Sequence, residues 1–307
     1  MSAIHDIPTV LEIQHGSRQS CDRADRLSTL ILIHPGAGMS ACYARLGFHA
    51  DRRVIAINQT WLGGLTGVVT ASEALTFQSV REAASVYLAY LEDQGWIREE
   101  LNLQRKYGKP AVAFGGWSYG GCVALEMAHQ VSGGNLPWRK SLLDDYTGVL
   151  LFDAVHPVGV YDLQGQTISH KHNNTQADKS ILSSAPAQMQ DEEMFEYLRA
   201  CYKDATRLLA AYDTTHLRIR RQITLVKAGK SSPTDRSLSN GARIQRIKNQ
   251  LCEHNGWKKI AQEAVQNTKS QWLTIPLPKT AHDDLFTTPH LAFTQMAIDQ
   301  VESLRRI

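Results

Sequence analysis

The sequence predicts an α/β protein with a mostly parallel central sheet, flanking helices and a helical lid insertion. Short apolar runs lack strict alternation, which is typical of strands buried on both faces of a parallel sheet. Amphipathic helical patterns lie between these runs, and such alternation favours an open sheet with right-handed crossovers. The 307 residues are 43% hydrophobic and 21% charged, as in a folded globule, so we expect a single domain over 1–307.

Six segments have the strand pattern, because each is a short apolar run bounded by turn residues or by a change to polar sequence. They are Ser28–His34, Arg53–Asn58, Pro110–Trp117, Thr147–Asp153, Gln222–Ala228 and Gln271–Ile275.

Helices are predicted where apolar residues recur on one face. Phe77–Glu92 has this spacing, Tyr119–Val131 repeats it, and Thr288 with Pro289 opens a last helix that runs to Leu304. Gly159–Leu217 contains no convincing strand but does contain a helical pattern over Asp191–Tyr212. We therefore interpret residues 159–217 as a lid, with a decorative surface helix as the alternative, and residues 1–27 as an N-terminal extension.

Charge and composition exclude several classes of protein. Thirty-three Lys and Arg against 30 Asp and Glu give a net charge of +3, which argues against a nucleic-acid binder. The N-terminus lacks a secretory pattern, and no apolar stretch is long enough to span a membrane. The five Cys include no C-x-x-C pair, so neither a zinc site nor a disulfide framework is indicated. We expect a cytoplasmic protein without metal or cofactor.

Ser118 is the candidate nucleophile because Gly116-Trp117-Ser118-Tyr119-Gly120 matches the pattern G-x-S-x-G. The pattern directly follows a predicted strand and directly precedes a predicted helix, which is the position of a nucleophile elbow. Gly at both ends of the pattern lets strand and helix approach closely, and the helix N-terminus favours developing negative charge.

A serine hydroxyl needs a base to take its proton, and in an elbow fold the base follows the final strand. His282 lies there, between the last predicted strand and the last helix. His290 is the nearest rival, but it falls within that helix.

The base in turn needs a carboxylate, and two positions fit the order Ser, Asp, His. Asp153 ends a predicted strand, where the backbone holds a side chain firmly, and is preferred. Asp235 follows the next strand in a Gly/Ser/Pro loop and remains the alternative.

An acyl-transfer site also needs N–H donors for an oxyanion. One candidate is the N–H of Tyr119, which follows the nucleophile. The other is in the loop His34-Pro35-Gly36-Ala37-Gly38, where Ala37 is preferred and Gly36 is the alternative.

Together, H-P-G-A-G at 34–38, G-W-S-Y-G-G at 116–121, L-L-F-D at 150–153 and A-H-D-D-L-F at 281–286 resemble the thioesterase domains of polyketide and nonribosomal peptide synthetases. The resemblance implies an α/β-hydrolase with a lid after the strand that bears the triad Asp, which supports Asp153. Without a recognisable carrier domain or synthase module in the sequence, we expect a free-standing enzyme acting in trans.

The resemblance implies that an acyl carrier protein or synthase module delivers the substrate as a phosphopantetheine thioester. Release would give a free acid by hydrolysis or a macrolactone by cyclisation. Arg243 and Arg246 are candidate docking residues for an acidic carrier, although solvated charge at a helix end is the commoner role. The alternatives are a carboxylesterase or lipase on free esters, and a non-catalytic hydrolase-fold binding protein.

Overall fold

A computed structural model of the chain describes residues 9–16, 27–59, 77–107, 112–132, 148–157, 192–219, 221–230, 240–266 and 271–303. The strands are β1 (Val10–Gln14), β2 (Thr29–Ile33), β3 (Val54–Ile57), β4 (Val112–Trp117), β5 (Gly148–Phe152), β6 (Gln222–Lys230) and β7 (Trp272–Ala281). The helices are α1 (Val80–Asp93), α2 (Trp96–Tyr107), α3 (Tyr119–Ser132), α4 (Glu192–Ala210), α5 (Asn240–Leu251), α6 (Lys258–Gln266) and α7 (Thr288–Ser303).

The strands form one sheet in the order β1-β3-β2-β4-β5-β6-β7. Strand β1 is antiparallel to β3, and all other pairs are parallel. Every residue of β2, β3, β4 and β5 is buried, which explains their uninterrupted apolar sequences. The predicted fold class is confirmed, and the carboxyl ends of the parallel strands share one edge, where α/β sheets build their sites.

Each face of the sheet is covered by helices. One face packs against α1, α3 and α4, and the other packs against α7 and a 3-10 turn at Ala41–Arg45. Two apolar layers are therefore buried, one on each side of the sheet.

Four elements were not predicted. Strand β1 lies within the expected N-terminal extension and pairs with β3 at the sheet edge, a tertiary contact that leaves little local pattern. Helices α2, α5 and α6 were also missed. On α5, Ile244 and Leu251 are exposed whereas Arg246 is buried, so hydrophobicity does not mark the buried face.

Strand β7 is longer than the sequence indicated. The predicted strand ended at Ile275, but β7 continues to Ala281 through Pro276 and Pro278. Proline cannot donate to a ladder and is tolerated on an edge strand, and β7 pairs only with β6 among the described strands. This extension carries the chain to His282.

Within the described part of the chain, no helix is long and apolar enough to cross a membrane. The described part of the predicted lid is α4 with the segment after it, up to residue 217. Residues 158–191 lie outside the described residues.

Candidate active site

Ser118 occupies a strained turn between β4 and α3. Its φ is +54°, a left-handed conformation that is uncommon for a residue other than glycine. A Cβ on Gly116 would lie 2.4 Å from the carbonyl carbon of Gly120, so only glycine permits this approach of strand and helix. Ser118 is partly exposed, whereas Trp117 and Tyr119 are buried. The turn therefore presents a serine side chain at the carboxyl edge of the sheet.

Asp153 directly follows β5 and has a second strained conformation, with φ at +42°. Its carboxylate is completely buried and fully engaged. Oδ1 accepts hydrogen bonds from the Ala228 N–H at 3.0 Å and from Asn255 Nδ2 at 2.8 Å. Oδ2 lies 2.8 Å from His282 Nδ1. Three elements that are distant in sequence therefore fix the orientation of this carboxylate.

Asp153 is an ionised carboxylate at neutral pH. Burial alone would raise its pKa, but the hydrogen bond and charge of His282, the hydrogen bond of Asn255 and the charge of Arg246 together outweigh burial. The net effect lowers the pKa of Asp153 below its ordinary value. An ionised carboxylate only accepts hydrogen bonds, so His282 Nδ1 must carry the shared proton.

His282 directly follows β7 and begins a short 3-10 turn. With its proton on Nδ1, the neutral imidazole has a lone pair on Nε2. Its ring centroid lies 5.5 Å from that of Trp117, the residue before Ser118. The Ser118 N–H donates to Phe152 O at 3.0 Å, which brings the elbow beside the residue that precedes Asp153. Ser118, Asp153 and His282 thus lie at one edge of the sheet.

The two rivals for these positions have different surroundings. Asp235 lies outside the described residues. His290 lies in α7, as expected, and its Nδ1 is 3.4 Å from Thr280 Oγ1. Among the described acidic residues, Asp153 is the one that hydrogen-bonds His282.

His34 fixes the loop at 34–38 through both ring nitrogens. Its Nδ1 is 2.7 Å from Pro35 O, which only accepts, so Nδ1 carries the proton. Nε2 then accepts from the Tyr87 hydroxyl at 2.6 Å. Complete burial lowers the pKa of His34 to about 4, so the imidazole is neutral at neutral pH. The loop is therefore tied to helix α1.

The two candidate oxyanion donors lie on elements that touch. A Cβ on Gly120 would be 2.3 Å from Ile33 O and 2.5 Å from His34 O, so the start of α3 abuts the loop. Tyr119 is the first residue of α3, and its N–H has no partner within the helix. Among the described residues, the Ala37 N–H donates to no backbone acceptor.

Helix α4 packs directly onto the same loop. A Cβ on Gly38 would lie 2.6 Å from Cys201 Sγ, and one on Gly36 would lie 3.2 Å from the Tyr202 ring. Tyr202 is 44% exposed, whereas Leu198 on the same helix is buried. The helix therefore presents a partly exposed aromatic ring beside the candidate oxyanion loop.

The structure corrects the interpretation of Arg246 as a docking residue. Arg243 is exposed, but Arg246 is buried and its charge acts on Asp153. A docking surface cannot include a buried guanidinium, so the basic pattern at 243–248 combines two surface charges, Arg243 and Lys248, with one internal charge, Arg246.

Three residues of the site were missed by sequence reasoning. Asn255 donates to Asp153, and Tyr87 donates to His34. The Tyr43 hydroxyl donates to Ile33 O at 2.7 Å and accepts from the Trp117 N–H at 2.8 Å, and so joins β2, which precedes the loop at 34–38, to β4, which precedes Ser118. None of them belongs to a local motif, so no sequence signal marked them.

A mostly parallel sheet with a serine on a strained strand–helix turn and a His–Asp pair at the same edge defines an α/β-hydrolase fold. No family model matches the chain. Over 141 residues it is 30% identical to the probable thioesterase lcsE of Purpureocillium lilacinum, a match that covers 44% of this chain and 35% of that protein. Over 272 residues it is 24% identical to the thioesterase pytI of Aspergillus terreus, covering 77% of this chain and 84% of that protein.

Among solved structures, the fold is similar to that of the type II thioesterase BorB from the borrelidin biosynthetic cluster. The TM-score is 0.57 at 14% sequence identity, and the alignment covers 97% of each chain. At this identity the likeness concerns the fold. The two relatives confirm the resemblance to thioesterases that the motifs predicted.

Proposed function

We propose that this protein is a serine thioesterase that releases a polyketide or peptide acyl chain from the phosphopantetheine arm of a carrier protein or synthase module. The thioesterase relatives support the reaction class. The observation that carries the mechanism is the 2.8 Å hydrogen bond between His282 Nδ1 and the buried Asp153, located beside the strained elbow of Ser118. Asp153 holds the imidazole in the tautomer that a general base requires.

In the acylation step, His282 Nε2 takes the Ser118 hydroxyl proton as Oγ attacks the thioester carbonyl. The N–H groups of Ala37 and Tyr119 stabilise the oxyanion, and each such donor is worth about 3 kcal/mol of barrier. The carbon–sulfur bond then breaks, and the departing thiolate takes the proton from His282. The product is an acyl ester on Ser118.

In the release step, His282 removes a proton from the second nucleophile, which attacks the acyl ester. Water gives the free acid, whereas a hydroxyl or amine of the same chain gives a ring. The proton then returns to Ser118 Oγ as the ester bond breaks. Helix α4, with Tyr202 beside the loop at 34–38, is the lid element that would limit the access of water.

The first experiment is labelling of Ser118 by a fluorophosphonate probe, followed by turnover of N-acetylcysteamine acyl thioesters with mass spectrometry of the products. We expect wild-type protein to be labelled and Ser118→Ala to be neither labelled nor active while retaining its thermal unfolding temperature. Greater activity on simple nitrophenyl esters would favour a carboxylesterase instead. Absence of labelling in folded wild-type protein would favour a non-catalytic binding protein.

The second experiment tests the acid. Asp153→Asn removes the charge that opposes the imidazolium and permits the wrong tautomer, so we expect kcat to fall by about 10⁴-fold, as in comparable triads. Asp235→Asn is the matched control and should retain most activity. A larger loss for Asp235→Asn would overturn the assignment of Asp153.

A further inference from the structure

The turn between α5 and α6 clamps the chain segment that carries Asp153. Asn255 O accepts from the His156 N–H at 2.9 Å, and Trp257 Nε1 donates to Ala154 O at 2.9 Å. The rings of His156 and Trp257 also pack edge to face, with centroids 4.6 Å apart. Together with the Asn255 side chain on Asp153, these contacts hold residues 153–156 from one short turn.

Asn255 donates a hydrogen bond to Asp153 although its own backbone is strained and its own side-chain oxygen is unsatisfied. Its φ is +47°, and it is completely buried. Its Oδ1 is buried and accepts no hydrogen bond among the described residues. Turning the amide over would bring Oδ1 against Asp153 Oδ1, so the carboxylate dictates the amide orientation. Strain and an unsatisfied acceptor at one residue are typical of a functional constraint.

We propose that Asn255 is a positioning residue of the catalytic triad. It and the Ala228 N–H occupy Asp153 Oδ1, which leaves Oδ2 to receive His282 Nδ1. Without the amide, the carboxylate can rotate about its last bond and lose the alignment with the imidazole. The inference rests on the proposed function, because it assigns Asn255 a role in that triad.

The decisive variant is Asn255→Asp, which keeps the size of the side chain and tolerates the positive φ. Two carboxyl groups within hydrogen-bond distance cannot both ionise easily, so they share a proton at acid pH. The protonated carboxyl group introduced at position 255 then donates to Asp153 as the amide did. At alkaline pH the proton is lost, and the second carboxylate repels Asp153.

Other charged and titratable groups also face this turn and set the pH at which the shared proton leaves. They are His156, His282, Arg246, His254 and the more exposed Glu253.

We expect kcat/KM of Asn255→Asp, relative to wild type, to be near parity at the acid end of the measurable range and to fall with rising pH. At the alkaline end the loss should reach about tenfold to a hundredfold, mostly in kcat. Asn255→Gly, which relieves the backbone strain, should show a similar loss at every pH. A ratio that is constant with pH for Asn255→Asp would overturn the proposal.

Asn249→Asp is the matched control, because Asn249 is also buried and donates to the same segment, at His156 O, without touching Asp153. It should lower stability without the pH-dependent loss of kcat. The same pH response in Asn249→Asp would show that Asn255 acts only on the fold, and would overturn the proposal.

A second measurement does not depend on turnover. The proton between His282 and Asp153 should give a low-field resonance in the NMR spectrum, which His282→Ala should abolish. In Asn255→Gly we expect this resonance to shift or broaden, and an unchanged resonance would contradict the proposal. If wild-type protein shows the resonance but is neither labelled by the fluorophosphonate probe nor active on thioesters, the proposed function fails. The comparison of this resonance between wild type and Asn255→Gly then decides the role of Asn255 by itself.

Discussion

Protonation of His34 should limit the stability of this protein in acid. The ring is completely buried, with Nδ1 bonded to Pro35 O and Nε2 bonded to the Tyr87 hydroxyl. Burial lowers its pKa from 6.5 to about 4. A charged imidazole at this position has no solvent and no carboxylate partner among the contacts described, so the native state resists protonation.

The size of the effect follows from the two pKa values. Between pH 6.5 and about 4, the unfolded chain binds a proton that the native chain does not, so acidification favours unfolding. At about 1.4 kcal/mol for each pH unit, His34 should remove about 3 kcal/mol of unfolding free energy across this window. The stabilisation is fully present above pH 6.5. The total unfolding free energy of a native protein is about 5–15 kcal/mol, so this loss is substantial.

The assay is urea unfolding followed by tryptophan fluorescence, from about pH 7 to about pH 4.5, with refolding checked at each pH. His34→Gln removes the titrating group. It should be less stable than wild type at neutral pH but should lose about 3 kcal/mol less on acidification. Because partial burial also lowers the pKa of His156 to about 4, His156→Gln should flatten the profile independently. Parallel profiles for wild type and His34→Gln would refute the assignment of a neutral buried imidazole.

Two further predictions concern packing, one at the serine turn and one at the amino ends of β2 and β3. Gly120→Ala would place a Cβ 2.3 Å from Ile33 O, a backbone atom that cannot move aside. We therefore expect a large loss of thermal stability and of Ser118 labelling. Gly241→Ala is the matched control and should change neither, because a Cβ at position 241 would have no neighbouring atom within 4 Å. Arg52→Ala should lower the unfolding free energy by about 3–5 kcal/mol, because Arg52 is fully buried and holds both oxygens of Glu302. Replacing both Arg52 and Glu302 by Met should lower the unfolding free energy, measured by urea unfolding, by less than Arg52→Ala does. An equal decrease would show that the unpaired charge left on Glu302 is not the cause of the destabilisation.

The elbow could be predicted because its determinants are consecutive residues. The buried strand β4, the two glycines and the start of α3 adjoin Ser118 in the chain, and steric limits on a tight turn act within that span. The strand pattern was equally local for β2 to β5, since strands buried on both faces are mostly apolar. His282 was predicted from order along the chain, because the base of an elbow fold follows the last strand.

The sequence left two acids open, and the structure describes one of them. Asp153 accepts from His282, 129 residues further along the chain, because β5 and β7 flank β6 in the same sheet. Nothing in the local sequence around Asp153 encodes that order of strands. The buried position of Arg246 was not evident from the sequence either, since Ile244 and Leu251 on the same helix are exposed and hydrophobicity does not mark the buried face.

By itself, the sequence determined the layered α/β fold, the strained serine turn and the histidine after the final strand, because apolar periodicity and backbone sterics act over a few residues. The tertiary structure alone decided how the carboxylate is held. Asn255 is 102 residues from Asp153, and His34 is 53 residues from Tyr87. Such hydrogen bonds depend on the packing of helices against the sheet, and that packing is a property of the whole folded chain.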